Sequence, residues 1–101
     1  MKTITLTIPH RLSQEEARRR IQTGIADARR QYAAHLGQFE DHWTGNHVEG
    51  RCKVMGQTIT GRADVEAERV VIHVDLPWLL SKLVGKIRPQ IEAEATRRLE
   101  R

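Results

Sequence analysis

Five histidines and one cysteine stand out among the residues of this chain whose types could do chemistry. Histidine could bind a metal or carry a proton, and a cysteine thiolate could attack a substrate. Their spacing argues against each role. His42 and His47 flank a turn, His10 and His35 fall at the ends of a strand and a helix, and His73 sits mid-strand. No pair has the helical i,i+4 spacing of a metalloprotease motif, and zinc would find no second cysteine. All five read as exposed and solvated. Cys52 alternates with Gly50 and Val54, so it reads as a small buried hydrophobe rather than a reactive thiol. There is no Gly-x-Ser-x-Gly elbow and no phosphate-cradling glycine loop. Gly45, Gly50, Gly56 and Gly61 are strand and turn glycines. The chain is read as not an enzyme, with no catalytic residue, no cofactor and no metal.

Two other groups remain as candidate sites. Gly50, Cys52, Gly61 and Ala63 form an inward row of small residues, a trough in the middle of a sheet. Such a row takes a closely packed helix or lets the sheet bend. As a site it would be an apolar pocket between helices and sheet, for an acyl or other lipid-like ligand. Arg18, Arg19, Arg29 and Arg30 lie on a helical wheel towards the side away from the apolar stripe. They form either a solvated helix face or a contact for an anionic surface. Nucleic acid is not indicated, because no DNA-binding module and no aromatic platform accompanies the basic residues.

The elements that must position these groups follow from alternation. Val48 to Leu76 reads as three strands and two tight turns. With Gly56-Gln57 at the first turn, Val54 faces Ile59, Cys52 faces Gly61 and Gly50 faces Ala63. With Ala67-Glu68 at the second, Val65 faces Val70, Ala63 faces Ile72, Gly61 faces Val74 and Ile59 faces Leu76. All of these share one face of the pleat. The other face carries Arg51, Lys53, Thr58, Thr60, Arg62, Asp64, Glu66, Arg69, His73 and Asp75, so the sheet is oily on one side only.

Lys2 to Ile8 is a strand ended by Pro9. Ser13 and Glu16 form a capping box, followed by an apolar stripe at Ala17, Ile21, Ile25, Ala28, Tyr32 and Leu36. This predicts a helix over 14–36 with Gly37 as its stop, and Gly24 packed closely on the sheet. Gln38 to Thr44 is a further strand, joined by a Gly45-Asn46 hairpin that places Trp43 opposite Val48 and Phe39 opposite Cys52. Asp41 then lands on the apolar face opposite Gly50, a conflict that a bulge or a shifted turn would relieve. Pro77 opens a second helix with Asp75 near its N-terminus. Its stripe runs Leu80, Leu83, Val84, Ile87, Ile91, Ala95, Leu99, with a kink near Gly85 to Arg88 caused by Pro89. The order β-α-β-β-β-β-α predicts a single two-layer α+β domain over 1–101, an antiparallel sheet with two amphipathic helices on one face.

Bulk properties agree. A chain of 101 residues with 39% hydrophobic content has room for one modest aliphatic core. The net charge of +4 is unevenly spread. Residues 1–37 hold seven basic and three acidic side chains, 38–77 four and seven, and 78–101 six and three. Basic helical ends thus enclose an acidic sheet. A lone cysteine excludes an intrachain disulfide. With no apolar run of membrane-spanning length and no signal-peptide core, the expectation is a soluble, cytoplasmic protein.

Across nearly its full length the chain resembles the polyhydroxyalkanoic acid system proteins, a bacterial family of the polyhydroxyalkanoate granule region. The residues that carry the resemblance are Ile4-Thr5-Leu6-Thr7-Ile8 with His10, Leu12-Ser13, Glu16-Ala17-Arg18, Trp43-Thr44-Gly45, Gly61, Val74-Asp75-Leu76-Pro77, Leu79-Leu80, Lys86-Ile87, Ile91-Glu92 and Leu99. The resemblance implies an accessory role in polymer storage, at the granule surface or on a granule-associated protein. It transfers no catalytic residue. The arginine-rich first helix and Pro89 are local departures. The alternative reading is a small apolar or acyl ligand-binding domain. Homo-oligomers are compatible with either.

Overall fold

The computed structural model describes residues 2–34 and 37–100. Its strands are β1 (Lys2–Pro9), β2 (Gly37–Thr44), β3 (His47–Val54), β4 (Gln57–Val65) and β5 (Arg69–Leu76). The α-helices are α1 (Gln14–Gln31) and α2 (Val84–Leu99), with a 3₁₀ helix, Trp78–Leu83, leading into α2. The strands form one antiparallel sheet in the order β1-β5-β4-β3-β2. The predicted α+β architecture is the observed one, and both helices cover the oily face.

The core follows the alternation. Ile4, Leu6 and Ile8 of β1 are buried while the threonines between them are exposed. Val48, Ala63, Val65, Val70 and Leu76 close it from the sheet, Ala17 and Ile21 from α1, and Leu80, Ala95 and Leu99 from the chain's second helical region. The helices hold each other by charge as well. Arg98 Nη1 meets Asp27 Oδ2 at 2.8 Å, and Arg20 donates to the carbonyls of Arg98 and Glu100 at the C-terminus of α2. Cations there complement the helix dipole.

Several expectations shift. The first hairpin turns at Met55-Gly56, so Val54 faces Gln57, Cys52 faces Ile59, Gly50 faces Gly61 and Val48 faces Ala63. Both turn residues have positive φ, 52° and 75°, as a two-residue type I′ turn demands. The slip is two residues, so every side chain keeps its face. The second hairpin pairs Val65, Ala63 and Gly61 as expected, while the ladder ends at Thr60 opposite Asp75 and does not reach Ile59.

Trp43 faces Val48 and Asp41 faces Gly50 as the Gly45-Asn46 turn requires, with Gly45 at φ 60°. Phe39 is not paired with Cys52, because the register shifts between Gly37 and Glu40 and Gln38 takes φ 46°.

α1 stops earlier than predicted, with Tyr32 as its C-cap. Gly37 cannot be the stop because it is already in β2, paired with Lys53. His35 and Leu36, the end of the predicted helix, lie outside the described residues. Ser13 Oγ accepts from the Glu16 amide at 3.1 Å, but the Glu16 carboxylate bonds Arg19 and Arg20, so only half of the capping box forms. Those two guanidiniums hold the Glu16 carboxyl down at about 2.

A Cβ on Gly24 would meet the Arg98 side chain at 3.7 Å, so this glycine faces α2 and not the sheet. Pro77 caps the 3₁₀ helix, and the change to α geometry comes at Leu83-Val84, just before the predicted kink. Pro89 lies inside α2 and leaves the Gly85 carbonyl without its usual donor. Asp75 caps nothing. It accepts from Thr3 Oγ1 at 2.6 Å and Arg62 Nη1 at 3.0 Å on the polar face.

Candidate functional site

The small-residue row is only partly brought together. Gly50 and Gly61 are direct partners, Ala63 lies beside Val48 and is buried, and Cys52 is half-buried opposite Ile59. Burial pushes the Cys52 thiol above its ordinary value, away from the reactive thiolate. No helix presses on the glycines. A Cβ on Gly61 would meet the His73 carbonyl at 3.5 Å, and one on Gly50 the Glu40 carbonyl at 3.1 Å. Gly50 therefore exists for the close passage of β2.

The hollow beside this glycine pair is about 520 Å³ and is lined by Glu40, His42, Glu49, Arg51, Thr60 and Arg62 as well as Asp41 and the glycines. All but Asp41 and the glycines belong to the polar face. The hollow thus opens away from the helices, which corrects the expectation of an apolar trough beneath them. Charge lines it: Arg51 Nε pairs with Glu40 Oε2 at 2.9 Å, and Arg62 with Asp75.

The four arginines divide. Arg18 lays its guanidinium over the Trp43 ring, 5.0 Å from the centroid, and its Nε donates to the Gly45 carbonyl at 2.7 Å. Arg29 pairs with Asp41 and lies over Phe39, 5.3 Å from the centroid. Both reach across β2 instead of pointing away from the sheet. A wheel counts arginine as polar, but its apolar stem and flat head suit an aromatic face. The signal that could have found this was Asp41, an inward carboxylate that needed a cation. Only Arg19 and Arg30 point outward, and each is paired, with Glu16 and with Asp27. No surface joins all four.

His10 corrects the reading of solvated histidines. It is 8% exposed. The Leu12 amide donates to its Nδ1 at 3.2 Å, so Nε2 carries the proton and donates to the Glu66 carbonyl at 3.0 Å. The His10 amide donates to the Glu68 carbonyl. One ring thus ties the entry of α1 to the turn between β4 and β5. A polar residue just past a strand gave no sign of this in the sequence.

His47 lies on the polar face, with Nδ1 2.6 Å from Asp64 Oδ1 and Nε2 3.5 Å from Glu49 Oε1. The Asp64 contact, helped by Glu49, raises its pKa above the ordinary histidine value. Among the described residues no group of three or more His, Cys, Asp or Glu could hold a metal ion. No described helix is long and apolar enough to cross a membrane.

What the geometry offers is therefore surface: a polar sheet face with paired charges, and a helical layer whose arginines are largely committed. Residues 4–99 match the family described as "Putative polyhydroxyalkanoic acid system protein". The chain belongs to that family. The match spans both helices and all five strands, so the polyhydroxyalkanoic acid system proteins share this chain's whole domain and not one motif. His10, Ser13, Trp43, Gly61 and the Leu76-Pro77 junction, on which the resemblance rests, hold strand ends, caps and the sheet. Among curated proteins no match is found.

Proposed function

We propose that this protein is a non-enzymatic, cytoplasmic accessory protein of the polyhydroxyalkanoate storage system that works by surface contact with the granule or a granule-associated protein. The observation that carries this reading is the family match over residues 4–99. It is supported by the pairing of the ionisable groups, which bind one another around the shallow hollow of the polar face and between the two helices.

The test is the position of a fluorescently tagged copy in cells accumulating polymer, with cosedimentation of the purified protein on isolated granules. Enrichment at granules, and retention after washing, is the expected outcome. A uniformly dispersed signal together with no retention on granules would rule the reading out.

A further inference from the structure

One end of the molecule differs from the rest. It is the end at which β1 begins and β5 finishes, fixed by the pairs Lys2–Leu76 and Gly37–Lys53 and by the Met55-Gly56 turn. α1 runs towards it, since Gln14 bonds the Val65 carbonyl at the opposite end while Arg29 reaches Asp41 in β2. The 3₁₀ helix and the first turn of α2 leave from it.

All four lysines of the chain, Lys2, Lys53, Lys82 and Lys86, fall here, and all four are exposed. None is within 4.0 Å of a carboxylate among the described residues, where every ion pair takes its cation from arginine or His47. The exposed large hydrophobics gather at the same end: Met55 at 76%, Trp78 at 72%, Leu79 at 53% and Tyr32 at 43%. Met55 is exposed at φ 52°, where asparagine or glycine would sit more easily. Backbone cost at an exposed apolar tip is a mark of use.

We infer that this lysine-ringed apolar end docks on an anionic phospholipid surface. Lysine is a hydrated point charge suited to a diffuse field of headgroups, whereas a carboxylate or phosphate gripped by a protein partner calls for the planar fork of arginine. Tryptophan with leucine and methionine fits the headgroup–acyl boundary, which needs no matching groove. The far end carries Glu15, Glu66 and Glu68 against Arg11 and Arg69, and Arg69 pairs with both Glu66 and Glu68, so the excess of positive charge at the lysine end also orients the molecule. This goes beyond the storage reading and stands or falls without it, because the test contains no polymer.

The test is cosedimentation of the full chain with vesicles of phosphatidylcholine alone and of phosphatidylcholine mixed with phosphatidylglycerol. Binding to the mixed vesicles at low salt is expected, with loss at high salt and none to the neutral ones. In a Trp43→Phe background the emission of Trp78 should shift to the blue on binding. A lysine near an anionic surface contributes roughly fivefold in partitioning. Lys82→Glu with Lys86→Glu should therefore weaken binding at least roughly 25-fold, while Arg11→Glu with Arg19→Glu, nearer the opposite end of α1, changes it far less. Met55→Asn should raise the melting midpoint and weaken binding. If the helical lysine pair fails to fold, Lys2→Gln with Lys53→Gln, on the strands, reads the same contribution. No sedimentation with the anionic vesicles, equal binding of the lysine variants, or a Trp78 shift that tracks protein concentration without lipid would each overturn the inference. The last outcome would mean that a second copy covers this end.

Discussion

The guanidinium of Arg18 lies over the indole of Trp43 while its Nε donates to the carbonyl of Gly45, two residues further on. One side chain from the first turns of α1 thus fixes both the last inward residue of the edge strand β2 and the turn that follows it. A cation over an aromatic face contributes about 0.5–1 kcal/mol at an exposed site. In a double-mutant cycle of Arg18→Ala and Trp43→Leu, the coupling energy should be at least that large. Denaturant melts of the four proteins give it. Additive losses would mean that the two residues act independently.

His10→Ala should be costly for so small a domain. It strands the Leu12 amide and the Glu66 carbonyl, at about 1–3 kcal/mol for a buried group left without its partner. His10→Asn can still accept from Leu12, and His10→Gln can still donate to Glu66. Each should recover part of the loss. Urea midpoints for the three variants should therefore rank alanine lowest.

The two facing glycines should respond in opposite ways. Gly50→Ala puts a Cβ 3.1 Å from a backbone oxygen of β2, so the edge strand must move aside by a few tenths of an ångström and a loss of stability is expected. Gly61→Ala meets only ordinary contacts and should stabilise by about 0.5–1 kcal/mol, the usual gain over glycine inside a strand. Thermal melts of both variants decide. A loss at both positions would mean that a helix does press on the sheet there.

The polar face should make stability depend on pH through His47. Its pKa is raised in the folded chain, chiefly by Asp64. The folded state then holds the proton more tightly than the unfolded one. The resulting stability is complete below the unfolded value of about 6.5 and disappears as pH rises through the folded value. Melting midpoints of the wild type should fall as pH increases from about 6.5. His47→Gln should flatten that slope. An unchanged slope in the variant would assign the effect to another group.

Alternation made most of this fold legible. The period-two pattern of β1, β3, β4 and β5 is strong, and a turn misplaced by one residue, which slips the pairing by two, left every side chain on its proper face. Gln57 can resemble a turn residue, so only the positive φ at Met55 and Gly56 places the reversal. The end of α1 was not legible, because Tyr32, Ala33 and Ala34 suit a helix, whereas Tyr32 already leaves helical geometry at φ −106°, ψ 16°. The partner of β1 was not legible either, since no hairpin joins it to β5. At the candidate sites the apolar row and the arginines were visible as residue types. Their directions depended on Asp41, Phe39 and Trp43 lying inward on a strand whose register slips once. Lys82 and Trp78 are too far in sequence from Lys2 and Met55 for a linear pattern to join them.

The placement of β1 has a consequence for the order in which the molecule assembles. Strands β2 to β5 form a meander of neighbours, each closed by a short turn, whereas β1 must find β5 across most of the chain. Local pairings form before distant ones because loop closure costs entropy first. During synthesis Ile4, Leu6 and Ile8 emerge early and find no strand to join until Leu76 has followed. The N-terminal segment is therefore the last part of the sheet to close, and until then its three large aliphatic side chains are open to other partners. Pulsed hydrogen exchange during refolding should show the amides of β4 protected ahead of those of β1. Simultaneous protection would mean that the sheet closes in a single step.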